Sequence, residues 1–511
     1  MRASLMTSSL KPALPLSTDL HTNISRLREA LGDSPDIIIR LLDMQVTQDH
    51  LSIALLYIDG LVQSDSIHKH LIEPLLNVQA TEQTSEQYCG VHEILQQTVS
   101  VGELYEAKYD NELLNAILEG STVILVDGFD EAFFACTNGW EKRAIEEPQS
   151  QTVIRGPKES FTEDIRTNLT LLRRKVKSAD LRFESMKIGR YTRTEIILAY
   201  LEGVSNEKVL AEARRRLKLI DTDSILESAY IEEFIEDKGY TPFPTMMNTE
   251  RPDTAAAGLL EGQIIIMVDG TPFALMAPVT FFKFLQSSED YYQRYDIASF
   301  VRLIRYASFF VSMLLPSLYI AITTFHQEML PTTLLISLAA QREGVPFPAL
   351  VEAFLMEITF EVLREAGVRM PRVVGPAISI VGALVLGQAA VQAGLVSAAM
   401  VIVVSFTAIS NFVTPAINLA VAARLIRFML MMLAGLLGLF GILFGCMFIL
   451  IHMCSIKSFG LPYMAPISPF IPSNVKDIFI RLPWWKLIKR PLALTKNVYR
   501  QRPTAKNPKK K

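Results

Sequence analysis

The chain has little cysteine, four residues in 511: Cys89, Cys136, Cys446 and Cys454. No pair sits at metal-site spacing, so neither a metal site nor a disulfide framework is expected, and the setting reads as a reducing one. It lacks the Gly-rich phosphate loop of the Walker type, the HExxH pair and the GxSxG elbow. Without a catalytic constellation, no enzyme activity and no cofactor are expected. The opening residues, MRASLMTSSLKPALPLS, contain no apolar core of about 7–15 residues such as a cleavable signal peptide carries. The N-terminal region is therefore expected to stay in the cytoplasm.

Charge is missing over one long stretch. Residues 373–423 hold 51 residues without Lys, Arg, Asp or Glu, and they are rich in Gly, Ala and Ser. A bilayer core needs about 20 residues per helix, so this stretch should cross, turn and cross again. Small residues let membrane helices approach closely. Spans are expected at 306–325, with Pro316 freeing backbone carbonyls, and at 373–393, 394–414 and 428–453, inside a transmembrane domain covering 306–455. Residues 290–305 read as a juxtamembrane segment. The tail, 456–511, has ten Lys/Arg and no Asp/Glu from Trp484 onward. Four spans would place both termini in the cytoplasm, as the positive-inside rule asks. Arg424 and Arg427 then fall on the wrong side.

Residues 1–300 are ordinary soluble protein in composition. Residues 1–30 are polar and expected to be disordered. Then Leu51–Ile58, Thr122–Val126 and Glu131–Cys136 read as strands, with Asp59-Gly60 and Asp127-Gly128 as turns. The plan recurs in Ile196–Leu201, Gln263–Val268 and Pro272–Met276, with Glu202-Gly203 and Asp269-Gly270. The interval is 68 residues in the first half and 67 in the second. Two tandem small α/β cytosolic subdomains are expected, at 31–142 and 179–289, joined by a helix-bearing linker at 143–178. The fold class is thus an α+β multidomain membrane protein: these subdomains followed by an all-α transmembrane domain of about four spans.

Three groups of residues are candidates for function. In the linker, Glu146, Glu147, Arg155, Gly156 and Pro157 precede a basic helix. They form either an anion or phospholipid site or a linker whose Arg residues pair with Glu146 and Glu147. Helix 348–366 bears Glu352, Glu357 and Glu361, either as a surface-lying amphipathic helix or as vestibule carboxylates of an oligomeric pore. In the second span, Val381, Val385, Gln388 and Gln392 share one helical face, with Gly387 and Val391 beside it. That face either lines a narrow pore or hydrogen-bonds to neighbouring helices.

Motifs along Leu51–Leu482 carry a resemblance. They are EEP at Glu146–Pro148, VIRGP at Val153–Pro157, TERPD at Thr249–Asp253, VPFP at Val345–Pro348, LREAG at Leu363–Gly367, GQAAVQAGLVS at Gly387–Ser397 and FGLPYMAP at Phe459–Pro466. The chain resembles the A subunits of GerA-type germinant receptors of endospore-forming bacteria, with Gln151 and Ser160 departing from the expected Glu and Gly. The resemblance implies a multi-pass protein of the spore inner membrane. Its partners would be an amino-acid-transporter-like B subunit and a lipoprotein C subunit, with no nucleic acid. It implies a homo-oligomer, a pentamer, forming a nutrient-gated cation channel that triggers germination. A paralogous accessory subunit of the dipicolinate-release machinery and a non-conducting scaffold that clusters receptors stay open beside it.

Overall fold

The computed structural model describes residues 13–46, 49–76, 99, 104–139, 147–148, 151–237, 239–369, 385–475, 477–491, 495 and 499–500. The chain divides into two compact units. One comprises Met1–Glu236, Met246–Pro278 and Trp484–Lys511; the other comprises Asp237–Thr245 and Val279–Pro483. The first unit thus ends at Pro278, before the expected boundary at 289, and it takes back the chain from Trp484.

The first unit holds two five-stranded antiparallel sheets. Strands β1 (Ile37–Val46), β2 (Asp49–Ile58), β3 (Leu104–Ala107), β4 (Thr122–Val126) and β5 (Ala132–Ala135) run in the order β1-β2-β4-β5-β3. Strands β6 (Leu181–Ile188), β7 (Thr194–Leu201), β8 (Met247–Thr249), β9 (Ile264–Val268) and β10 (Ala274–Ala277) run β6-β7-β9-β10-β8, the same order. Helices α1 (Leu20–Leu31) and α2 (Asp110–Glu119) pack on the first sheet. Helices α3 (Ile165–Lys175), α4 (Glu207–Leu219), α5 (Ser228–Ile235) and α6 (Pro252–Glu261) belong to the second half.

The two halves repeat down to single hydrogen bonds. Asp19 and Asp164 cap α1 and α3, each accepting the N–H three residues on at 2.9 Å. The first helical N–H groups, of Leu20 and Ile165, reach the turn carboxylates Asp127 and Asp269 at 3.1 and 3.3 Å. The acids of these Asp-Gly turns therefore serve helix N-termini, where negative charge is favoured. Their glycines, at φ 85° and 88°, occupy backbone that other residues adopt only under strain.

Two expectations are corrected here. Residues 20–31, expected to be disordered, form α1, with Leu20, Leu27 and Leu31 almost fully buried in the first core. Its apolar stripe is short and its other face polar, which hid it. Helix α3, expected within a linker, stands in the second half where α1 stands in the first. Its Arg173, 1% exposed, pairs with Asp36 across the two halves at 2.8 Å and also donates to the Leu181 carbonyl at 3.0 Å.

The second unit contains α7 (Tyr295–Thr324), α8 (Thr332–Arg342), α9 (Ala349–Arg369), a helical stretch over 385–393, α10 (Ala398–Phe412) and α11 (Ile417–Ser455). Helix α7 is long and apolar enough to cross a membrane, and α11 is so by total length and composition, before its break at Gly438 is counted. The expected span 428–453 is not one straight rod. Helix α11 breaks at Gly438, where φ is 63°. A Cβ on Gly445 would lie 2.6 Å from the Leu430 side chain. Fifteen residues of straight helix would separate them by about 22 Å, so the chain reverses at Gly438 and the arms 417–437 and 439–455 run back to back. Helix α10 has 15 residues and is shorter than the expected span 394–414, because a left-handed turn at Gly394 and a cap at Ser397 delay its start. Residues 373–384 of the expected second span lie outside the described residues.

Two outcomes are expected for the first unit. Arg173→Ala leaves Asp36 buried without its partner and should cost about 3 kcal/mol, read as a lower thermal midpoint of the chain in detergent. On α5, burial, with Glu236, Glu227 and Glu233 nearby, pushes Glu232 up to about 7. The native state therefore holds a proton that the unfolded chain gives up above its ordinary value of 4.5. Stability from this group is intact below that value and falls as pH rises toward 7. Glu232→Gln should raise the midpoint at pH 8, by about 1 kcal/mol because Glu232 keeps some solvent contact, and leave it unchanged at pH 4.5.

Candidate functional site

The interior of the second unit is built around a backbone defect. Pro316 lies inside α7 and has no N–H, so the carbonyl of Ser312, four residues earlier, loses its helical donor. Arg427 of α11 points its Nη1 at that carbonyl, at 3.4 Å. The same guanidinium pairs through Nη2 with Glu357 of α9 at 2.8 Å, and both side chains are 1% exposed. It also lies 3.4 Å from Glu361. Glu361 pairs in turn with Arg424 and Arg364, each at 2.7 Å. Three helices far apart in sequence thus meet on one buried cation.

Helix α9 is consequently inside out. Glu352 and Glu357 are buried, while Val351, Leu355, Ile358 and Val362, spaced along one stripe, are exposed. In water this would reverse the usual preference, so the stripe is fitted to an apolar surrounding. Of the carboxylates expected at a vestibule, Glu352 and Glu357 are buried, and Glu361 is half-buried beside Arg364, Arg424 and Arg427. Glu352 accepts from the N–H and the hydroxyl of Ser397, at 2.6 and 2.5 Å.

At the other end of α7 a second charged cluster fastens the helix start. Asp290, 2% exposed, accepts from Arg302 Nε at 3.1 Å and Arg305 Nη1 at 2.6 Å. Arg302 also donates to the Asp477 carbonyl at 2.5 Å, and Tyr291 donates its hydroxyl to the Asp477 carboxylate at 2.7 Å. The segment following α11 is thereby tied to the beginning of α7. Asp290 and Asp477 gave no sequence signal beyond the aromatic, charged stretch in which Asp290 stands.

The expected pore face is described from Val385 onward; Val381 lies outside the described residues. Val385, Gln388 and Gln392 are exposed, Val391 is half-buried, and Gly387 is buried. A Cβ at Gly387 would touch Val401 at 3.5 Å, so the glycine side of this helix backs onto α10 and the valine–glutamine side is left open.

In the first unit, two sequence motifs prove to be one clasp. Arg251 donates to the carbonyls of Gln151 and Pro157 at 3.2 and 2.8 Å, and is itself held by Asp253 at 2.8 Å. Gln151 and Ser160, the two departures noted above, both take part: Gln151 N–H meets Glu250 at 2.9 Å, and Ser160 donates to the Glu250 carbonyl at 3.0 Å. The loop so held presents Ile154, 93% exposed, with Arg155 and Gly156 exposed beside it. Pro157 is half-buried, and Glu147 pairs with Lys158 at 3.0 Å. Glu146 lies outside the described residues. The basic residues of α3 turn elsewhere, Arg173 to Asp36 and Lys175 to Glu159 at 2.8 Å.

Arg427→Ala would strand Glu357 in the interior and should destabilise the unit by about 3–5 kcal/mol. Arg427→Met combined with Glu357→Met removes both charges and should recover most of that loss. The thermal midpoint in detergent and the amount of protein in the membrane check both.

The family described as Bacillus/Clostridium GerA spore germination protein matches residues 25–493. Spore germination protein KA of Bacillus subtilis (strain 168) is 49% identical, over 95% of this chain and 88% of the relative. The uncharacterized membrane protein YfkQ of the same organism is 45% identical over 93% and 91%, and spore germination protein GerLA of Bacillus cereus 37% over 94% and 96%. A crystal structure of the N-terminal domain of the A subunit of the Bacillus megaterium spore germinant receptor GerK3 is 39% identical. It covers 53% of this chain and 99% of that one, with a TM-score of 0.43. Matched over nearly its whole length by the family and by relatives of its own size, the chain belongs to the GerA spore germination protein family.

Proposed function

We propose that this chain is the A subunit of a nutrient germinant receptor in the spore inner membrane, with both termini cytoplasmic. In this reading it assembles with an amino-acid-transporter-like B subunit and a lipoprotein C subunit. Copies of the chain, five in the ring, surround a nutrient-gated cation conduit whose opening starts germination. The residues assigned to the conduit are Val381, Val385, Gln388, Val391 and Gln392, while Gly387, on the other side, seats their helix on α10. Within them, Gln388 and Gln392 offer uncharged dipoles to a cation, and the valines narrow the path and resist wetting when closed.

The observation that carries the reading is the open face of helix 385–393. Val385 and the two glutamines are exposed in the single chain while Gly387 is seated against α10. A helix that only packed in the bundle would bury its amides among neighbours. This one turns them outward, where symmetry-related copies can bring them together. The acidic residues of α9 are assigned a structural part, since Glu352 and Glu357 are buried against Ser397 and Arg427.

Reconstitution of the chain with its two partner subunits in liposomes tests the proposal. Nutrient addition should release K⁺, and Val391→Ala or Gln388→Ala, which widen the path, should release K⁺ without nutrient. No release from the assembled wild-type receptor, together with unaltered permeability of both variants, would favour a scaffold instead.

A further inference from the structure

We propose that Glu352 is a positioning residue for the conduit, a buried carboxylate that bolts the junction between helix 385–393 and α10. This rests on the channel reading above. Helix 385–393 ends at Gly394, in left-handed backbone at φ 69°. A Cβ there would come within 3.2 Å of the Gly344 carbonyl, so the turn is pressed against the connection between α8 and α9. Three residues on, Ser397 starts α10.

Ser397 is 2% exposed and Glu352 is fully buried. The Ser397 hydroxyl donates to Glu352 Oε1 at 2.5 Å and accepts from the Met400 N–H at 3.2 Å, while the Ser397 N–H donates to the same Oε1 at 2.6 Å. One hydroxyl therefore caps α10 and ties it to α9. With its proton spent on Glu352, it can only accept from the Tyr319 hydroxyl of α7, 3.4 Å away. Arg342, at the end of α8, stands 3.9 Å from the other carboxylate oxygen. Side chains of α7 and α9 thus meet on one serine, with Arg342 of α8 approaching the carboxylate that holds it, and that carboxylate faces the positive end of α10 in a medium of low dielectric. Gln392, at the end of the open face, is five residues from this anchor. Its orientation follows from where Ser397 is held.

The assembled receptor in liposomes tests this, with K⁺ release measured per receptor as a function of nutrient concentration. Glu352→Gln and Ser397→Ala should each shift the half-maximal concentration, or raise nutrient-independent release, by about tenfold, the scale of a hydrogen bond to a charged group. The double variant should be no worse than the more severe single, because both remove the same contact. Ser397→Thr keeps the hydroxyl and should stay near wild type. If Glu352→Gln lowers the amount of receptor, Ser397→Ala, which keeps the Ser397 backbone N–H as a donor to Glu352, decides. Wild-type release with both singles unaltered, or effects that multiply in the double, would overturn the bolt alone. Absence of release from the assembled wild-type receptor would overturn the channel reading and the bolt with it.

Discussion

The second unit depends on one buried cation. Arg427 answers a carbonyl that Pro316 has left without a donor and pairs with a carboxylate that would otherwise be charged and dry. A charge in a low-dielectric interior is tolerated only with its partners in place. This pair therefore fixes α7, α9 and α11 in register more strictly than apolar packing would, since packing between membrane helices is weakly directional. The inverted face of α9 follows: its acids are spoken for inside, and its valine and leucine stripe is free to meet lipid or another chain.

The first unit is organised by repetition. Each half begins with an Asp-capped helix whose N-terminus is received by the carboxylate of an Asp-Gly turn about a hundred residues later in the chain. The repeated bond closes each sheet over its helices. The buried pair Arg173–Asp36 then links the halves. The Arg251 clasp holds the loop bearing Arg155 from both sides, so two motifs about a hundred residues apart form one structure.

Much of this was legible in the residues. Thr122–Val126 is a strand from end to end, and Ile165, Leu169 and Leu172 marked α3 by their spacing. Local pattern suffices where the signal is local. Arg424 and Arg427 looked misplaced because their partners, Glu357 and Glu361, lie more than sixty residues away on another helix. The reversal at Gly438 was hidden because glycine is common in membrane helices and nothing polar marks the turn. The role of Glu352 was unreadable for a similar reason: a carboxylate on an apolar helix signals exposure or burial only once its neighbour, Ser397, is placed.

Cysteine accessibility at Gln388 tests the central claim most directly. With Gln388→Cys in the assembled receptor, a charged, water-soluble thiol reagent should block nutrient-triggered K⁺ release, while Ile402→Cys on the exposed apolar face of α10 should be indifferent to it. Modification confirmed at Gln388→Cys with undiminished release would contradict the placement of helix 385–393 along the conduit.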